Sequence, residues 1–493
     1  MFSSAARPWT TTIADLPDPN VIAPGKRLGD SAQRGLRRNC LSFWEVVAQS
    51  VANIAPVATP ALIIPLVYSS SLAGTWLAYL LATIAMLLVT YHINQFARRS
   101  SSPGALYTYV SQGLGPTWGV ISGWSLVIAY LATGAAVLAG AANYVVVLGH
   151  LVVPAHFDFE VALVCMLVFA AIAWWAAYRD IQLSTRAMLI AEFTSVSLIM
   201  ILAIWFLVKT NRWIDPKQFR LQGVSAGGVR LGLVLAIFSF VGFESATALG
   251  DEAKDPRRSI PRSVLFSVLA VGAFFVFMSY VLALAESPTL SGNNAPLGVL
   301  AKLAGIPGFG TAIAAGAALS EFACGLASIN AASRVIFTMG RHGLLPASMG
   351  DAHETHATPH IAVGISSLLA AIVPVVLLFR GIAPLDIFGY LGSVATFGFL
   401  FAYILIAIAA PVYLRNRGEK SAFSVILSVC ALILLLLPLV GSVYPEPPPP
   451  GKYLPYVFLA LLALGTARFI YLRMWRPELI RELERHLEKA EEA

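Results

Sequence analysis

Apolar runs of roughly twenty residues recur along the whole chain, separated by short polar segments. A helix needs about that length to cross ~30 Å of hydrocarbon. The pattern predicts twelve membrane-spanning helices, at 43–68, 74–97, 116–149, 157–178, 182–208, 230–252, 262–286, 309–338, 358–380, 386–414, 421–444 and 453–475. The expected fold class is therefore an all-α polytopic membrane protein.

Two of these runs do not read as regular helices. The first, LSFWEVVAQSVANIAPVATPALIIPLV, contains Pro56, Pro60 and Pro65. Each proline lacks an N–H and pushes against the carbonyl four residues earlier, which would free the carbonyls of Ala52, Pro56 and Ala61. Lipid satisfies no bare carbonyl, so this backbone must face protein or a watery cavity. A simple kink would explain one proline; three within ten residues predict local unwinding. The sixth run breaks around Ser239–Gly242, within AIFSFVGFESATALG. The two interrupted runs lie five apart, the pattern of an inverted-repeat transporter with two five-helix halves. There, half-helix N-termini attract an anionic group and exposed carbonyls take up an ammonium. A zwitterionic amino acid suits both ends.

This organisation divides the chain into an N-terminal tail (1–42), a first repeat (43–208), an external loop (209–229), a second repeat (230–414), two further helices (415–475) and a C-terminal tail (476–493). The first tail reads as disordered. The last residues, PELIRELERHLEKAEEA, read as a short charged helix in water, and the proline run PEPPPP as a stiff connection between the last two spans.

Carboxylates inside the apolar runs are the candidate chemistry. Glu244 follows the sixth-run break directly, with Phe238, Phe240 and Phe243 around it. A carboxylate near a bilayer centre costs about 2.5–3.5 kcal/mol on insertion scales. That cost points to a substrate or proton site. Glu192 in the fifth run and Glu321 in the eighth carry the same cost; for Glu192 the alternative is a basic or amide partner within the bundle, and for Glu321 substrate contact, an ion site and helix–helix hydrogen bonding are all open. Asn143 and Glu45 lie nearer span ends and read as structural.

Composition confirms the class and sets orientation. Charged residues make up 12% of the chain and hydrophobic ones 58%, with mean hydropathy +0.75, against about 25% charged in soluble proteins. The net charge of +7 is scattered through short loops, so it reads as orientation signal rather than nucleic-acid binding. Placing both termini in the cytoplasm puts 25 of the 33 Lys and Arg residues on that side and 8 on the other. The location expected is the plasma (inner) membrane. The four cysteines show neither disulfide nor metal spacing. His353, His356 and His360 occupy a Pro- and Gly-flanked loop and are not read as a metal site. The chain carries no H-E-x-x-H, no G-x-S-x-G and no paired acidic metal motif. Neither enzyme chemistry nor a cofactor is expected.

Four segments carry a family likeness. FVGFESATALGDEAKDPRRSIP (240–261) is similar to an aromatic-Gly-aromatic-acidic core followed by E-x-x-x-P-x-R-x-x-P. PGALYTYVSQGLGPTWGVISGW (103–124) resembles a stretch leading into a third helix. SRVIFTMGRHGLLP (333–346), followed by Thr358–Pro359, resembles the end of an eighth helix, and APVATPALIIP resembles a first-helix break loosely. Together they resemble the amino acid–polyamine–organocation (APC) transporter superfamily over nearly all of residues 42–475.

The resemblance implies a 5+5 inverted-repeat transporter fold plus two C-terminal helices. It implies alternating-access transport of an amino acid or related amine, coupled to protons or working by exchange. Substrate would meet Ala55, Pro56, Val57, Ala58 and Thr59 at the first break, and Phe238, Ser239, Phe240, Val241, Gly242 and Phe243 at the second. The carbonyls of Phe238, Ser239 and Val241 would receive the amino group. Tyr130, on the third helix, would flank the substrate. Glu244, Glu192 and Glu321 would couple protons or gate. The chain departs from the family in its first helix, where a Gly-rich carboxylate-binding element is absent and Pro60 lacks an N–H. A second reading is a non-transporting sensor on the same scaffold, although the tails carry no recognisable signalling domain. The partners expected are the substrate, protons and the lipid bilayer; nothing in the chain fixes the oligomeric state.

Overall fold

The computed structural model describes residues 34–152, 154–285, 296–419, 421–444 and 447–475, together with Glu478. The expected N-terminal tail up to residue 33, most of the C-terminal tail and the start of the proline run lie outside the described residues. The described chain is helical. It begins with α1 (Phe43–Ile54), α2 (Ile64–Ser71), α3 (Thr75–Ala97), α4 (Leu106–Leu114) and α5 (Pro116–Gly149). Next come α6 (Asp158–Arg179), α7 (Ile181–Thr210), α8 (Pro216–Phe219), α9 (Ala226–Phe238) and α10 (Pro256–Leu284). It continues with α11 (Pro296–Leu303), α12 (Phe309–Arg341), α13 (His360–Phe379), α14 (Pro384–Asn416), α15 (Ala422–Gly441) and α16 (Leu454–Trp475). A bilayer leaves no water to bond exposed peptide groups, so apolar chain of this length closes its hydrogen bonds internally as helix.

Among the described residues, eleven helical segments are long and apolar enough to cross a membrane. The first, Phe43–Ala97, has 55 residues, about twice what one crossing needs. It holds α1, α2 and α3, and therefore both of the first two predicted spans. A short 3-10 turn at Leu72–Gly74 interrupts it, and Leu72 sits at φ 49°. The other ten segments each overlay one predicted span.

Burial separates centre from rim. The apolar stretch of α5 is 89% buried and that of α12 is 78% buried, against 22% for the segment containing α16. The helices α5, α12 and α14 pack together as the scaffold of the bundle, and α15 and α16 lie against its outside.

The chain ahead of α1 is tied down. The N–H groups of Cys40 and Leu41 donate to the Glu252 carbonyl at 2.8 and 2.9 Å, and Lys254 N–H returns to Leu41 at 2.9 Å. Arg37 pairs with Asp180 at 3.1 Å, and Arg34 pairs with Glu354. This strap gathers the end of the sixth predicted span, the α6–α7 corner and the loop after α12 onto one face. Ser42 and Glu45 form a reciprocal capping box that starts α1, and Glu45 also accepts from Arg186 at 2.9 Å. That structural role is the one expected for Glu45. Burial pushes the Cys40 thiol up to about 11, which keeps it protonated and unreactive near neutral pH.

Candidate functional site

Both predicted breaks are present. Helix α1 ends at Ile54, and Ala55 turns into the left-handed region at φ 50°. Its N–H donates to the Ala52 carbonyl at 3.0 Å, so one of the three carbonyls expected to be freed is satisfied locally. The chain resumes as a π-helical turn, Thr59–Ile63, before α2. The second break begins where α9 stops at Phe238. Gly242 then adopts φ 92°, and a 3-10 stretch runs Phe243–Leu249.

The two breaks bond to each other. Asn53 Nδ2 donates to the Gly242 carbonyl at 3.3 Å, Ser245 Oγ donates to the Gln49 carbonyl at 3.1 Å, and Ala246 N–H donates to Ser50 Oγ at 3.2 Å. A β-carbon at residue 242 would lie 2.3 Å from Asn53 Nδ2. The turn therefore requires glycine both for its positive φ and for this close approach.

A cavity of about 50 Å³ lies between the breaks. Of the predicted substrate residues, Ala55, Ala58, Thr59, Phe238, Ser239 and Val241 line it. Pro56, Val57, Tyr130, Phe240, Gly242 and Phe243 do not. Phe240 packs edge-on against Phe275 and Phe243 packs against Tyr403. Asn53, Thr133, Cys324 and Phe388 are among the other residues of the wall; nothing in the sequence marks them for the site. The space is little more than a water occupies in the liquid (~30 Å³). A far larger cleft of about 620 Å³ lies beside it, within the range of small-molecule sites. Ile63, Phe238 and Phe388 line both spaces, so these three side chains form the partition between them.

Glu244 sits just past the second break, fully buried and outside the cavity wall. Tyr130 O–H donates to its Oε1 at 2.7 Å and Tyr403 O–H donates to Oε2. The Tyr403 hydroxyl in turn accepts the Gly242 N–H at 3.0 Å. One carboxylate thus fastens the broken segment to α5 and α14 together.

Residues 45–478 match the amino acid permease family. The chain belongs to that family. It is 26% identical over 362 residues to a branched-chain amino acid permease of Bacillus subtilis, covering 70% of this chain and 75% of that one. It is 24% identical over 368 residues to a low-affinity putrescine importer of Escherichia coli K12, covering 70% and 75%. It is also 24% identical over 375 residues to the mouse cationic amino acid transporter 4, covering 71% and 57%. This permease is a multi-pass membrane transporter of the APC superfamily and not an enzyme.

The other two predicted carboxylates lie on a neighbouring part of the permease core. Glu192 of α7 is buried, and Ser320 Oγ stands 3.0 Å from each of its oxygens. Glu321 of α12 is fully buried, and among the described residues neither of its oxygens has a hydrogen-bond partner. Among the described residues no group of three or more His, Cys, Asp or Glu side chains is arranged to hold a metal ion. The rings of His353, His356 and His360 pack on one another, and Tyr178 packs edge-on against the first two.

One charged feature of the permease escaped the sequence reading. From sequence, Arg257, Arg258 and Arg262 read as inner-surface charges, the alternative being an ionic gate to Asp251, Glu252 or Asp255. Glu252 instead pairs with Arg334, which is fully buried on α12, at 2.6 Å from Nε and 2.7 Å from Nη2. Arg258 reaches only Asp255, at 3.9 Å on the surface. The bidentate pair lies beside the strap, whose Cys40 and Leu41 N–H groups bond the Glu252 carbonyl. The available signal was a lone arginine within the apolar part of the eighth span.

Proposed function

We propose that this permease carries an amino acid or a related amine by alternating access, with proton coupling or exchange. The observation that carries this reading is the pair of interrupted helices, bonded side by side around a small cavity that an aromatic partition divides from a wide cleft. The proposed architecture has twelve crossings, the first 55-residue segment supplying two, in two five-helix halves plus two terminal helices. The membrane proposed is the plasma membrane, with both termini cytoplasmic, so that the cleft opens outward and the Arg334–Glu252 pair closes the inner end. Relatives named for branched-chain amino acids, a diamine and cationic amino acids support the class without choosing within it. The sensor alternative finds no support among these relatives.

In this reading substrate enters the cleft, displaces the Phe238–Phe388 partition and lies against the backbone of both breaks. Counterflow into proteoliposomes loaded with unlabelled compound tests it. Labelled substrate should accumulate transiently for at least one member of an amino acid and amine panel. Absence of counterflow from a folded preparation across that panel would defeat the reading.

Phe238→Ala should weaken substrate binding about tenfold or more, in line with the ~3 kcal/mol or less that one buried aromatic face contributes. Phe238 is only partly buried and borders the open cleft, so the melting temperature should change far less. Equilibrium binding to the purified variant checks this, and wild-type affinity would remove Phe238 from the site.

A further inference from the structure

Glu321 is a buried acid whose two oxygens have no partner among the described residues, which is costly in a low-dielectric interior. It sits one helical turn from Cys324, which lines the cavity. Gly140 of α5 lies directly against it: a β-carbon there would be 3.1 Å from Glu321 Cδ and 3.0 Å from Phe388 Cδ2. Phe388 is also part of the partition between cavity and cleft. The carboxyl group thus stands close behind the Phe388 wall of the cavity. One turn along α5, the Tyr144 hydroxyl is buried and unpartnered. The neighbouring acid, Glu192, is engaged by Ser320. Among the described residues no Lys or Arg side chain pairs with either carboxylate.

The first break offers a substrate carboxylate few backbone donors. Across the first break Pro56 and Pro60 have no N–H. The N–H groups of Ala55, Ala58 and Ala61 are already donated to the carbonyls of Ala52, Ala55 and Val57, at 3.0, 3.0 and 3.2 Å. Besides these, the first break offers a carboxylate the N–H groups of Val57 and Thr59 and the Thr59 hydroxyl, so its donors are few, while the site holds an unmatched acid.

We propose that Glu321 receives a distal alkylammonium, and that the substrate is a linear aliphatic diamine rather than an α-amino acid. This rests on the transport reading above. One ammonium lies on the carbonyls of the broken segments. The other passes Phe388 and pairs with Glu321, with Tyr144 beside it.

The test uses the purified full chain in proteoliposomes, with 1,4-diaminobutane, 1-aminobutane, L-lysine and L-leucine as probes. Counterflow and ligand-induced thermal shift are the readouts. 1,4-Diaminobutane should bind at least tenfold more tightly than 1-aminobutane, which lacks the second charge. Glu321→Gln should remove that difference while leaving the affinity for 1-aminobutane unchanged. Gly140→Ala, which crowds the carboxyl from the opposite helix, should weaken the diamine in the same direction if Glu321→Gln fails to fold. Equal affinity for diamine and monoamine, or a diamine affinity untouched by Glu321→Gln, would overturn the proposal. Lysine binding as tightly as the diamine would overturn the diamine assignment and leave Glu321 as an ammonium site. Counterflow of leucine alone would sink this proposal and leave transport standing. No counterflow with any probe would tell against the transport reading itself.

Discussion

Replacing Glu244 with glutamine is expected to flatten the pH dependence of substrate uptake and to cut proton-driven accumulation by on the order of tenfold to a hundredfold. The argument begins with what an ionised carboxylate does at this position. It accepts from Tyr130 at 2.7 Å and from Tyr403, and so ties the chain around Gly242 to two scaffold helices. Hydrogen bonds to a charged group contribute about 1.5–3 kcal/mol each. Protonation turns one carboxyl oxygen from acceptor into donor, and at least one tyrosine must turn or let go. The tie is therefore tight when Glu244 is ionised and loose when it carries a proton, which couples proton occupancy to the freedom of the broken segment. Glutamine mimics the protonated acid at every pH. Uptake into proteoliposomes at a series of internal and external pH values reads the effect, and exchange should survive better than accumulation. Tyr403→Phe and Tyr130→Phe should each shift the profile part of the way. A glutamine variant whose pH profile overlays the wild type would transfer the coupling role to Glu192 or leave an exchange mechanism without protons.

The breaks were legible in the sequence because their causes are local. Pro56, Pro60 and Pro65 cannot continue a helix, and Gly242 permits the φ of 92° seen there. The buried acids were equally legible, since a carboxylate in an apolar run announces its own cost. What could not be read was which side chains of a broken segment face inward. A regular helix has a period of 3.6 residues from which a face can be counted. Once the chain unwinds at residues 55–59 and 238–243 that period is lost. Val57 and Phe240 accordingly turn into the packed core, while Ala58 and Val241 reach the cavity. Partners from distant helices were hidden for another reason. Tyr403 is 159 residues from Glu244, Phe388 lies on the same helix as Tyr403, and Arg334 is 82 residues from Glu252. Nothing in an apolar stretch marks the one residue that tertiary packing will bring to a charge. Arginines near in sequence were the natural candidates for Glu252, and they lie on the surface because the turn at Asp255–Pro256 carries them outward.

Arg334→Leu should destabilise the permease by about 3–5 kcal/mol, because it leaves the Glu252 carboxylate buried and unpaired. The pair is well made: two guanidinium nitrogens reach the two carboxylate oxygens at 2.6 and 2.7 Å, and the third donates to the Asn330 carbonyl at 2.9 Å. The expected result is a large drop in melting temperature of the detergent-purified protein, or loss of folded yield. The double variant Arg334→Met/Glu252→Leu should recover most of that stability, since apolar residues of similar volume often replace a buried ion pair at little cost. Transport should not recover with it. The pair joins α12 to the end of the sixth predicted span on the side away from the cleft, beside the strap of residues 39–41. In the proposed alternating-access cycle, its loss should shift the resting population toward the conformation open at that end. Apparent affinity for substrate offered from the cleft side then falls in proportion to the fraction of cleft-open molecules that remains. A double variant with restored stability and wild-type affinity from the cleft side would show that Arg334 and Glu252 hold the fold and take no part in opening it.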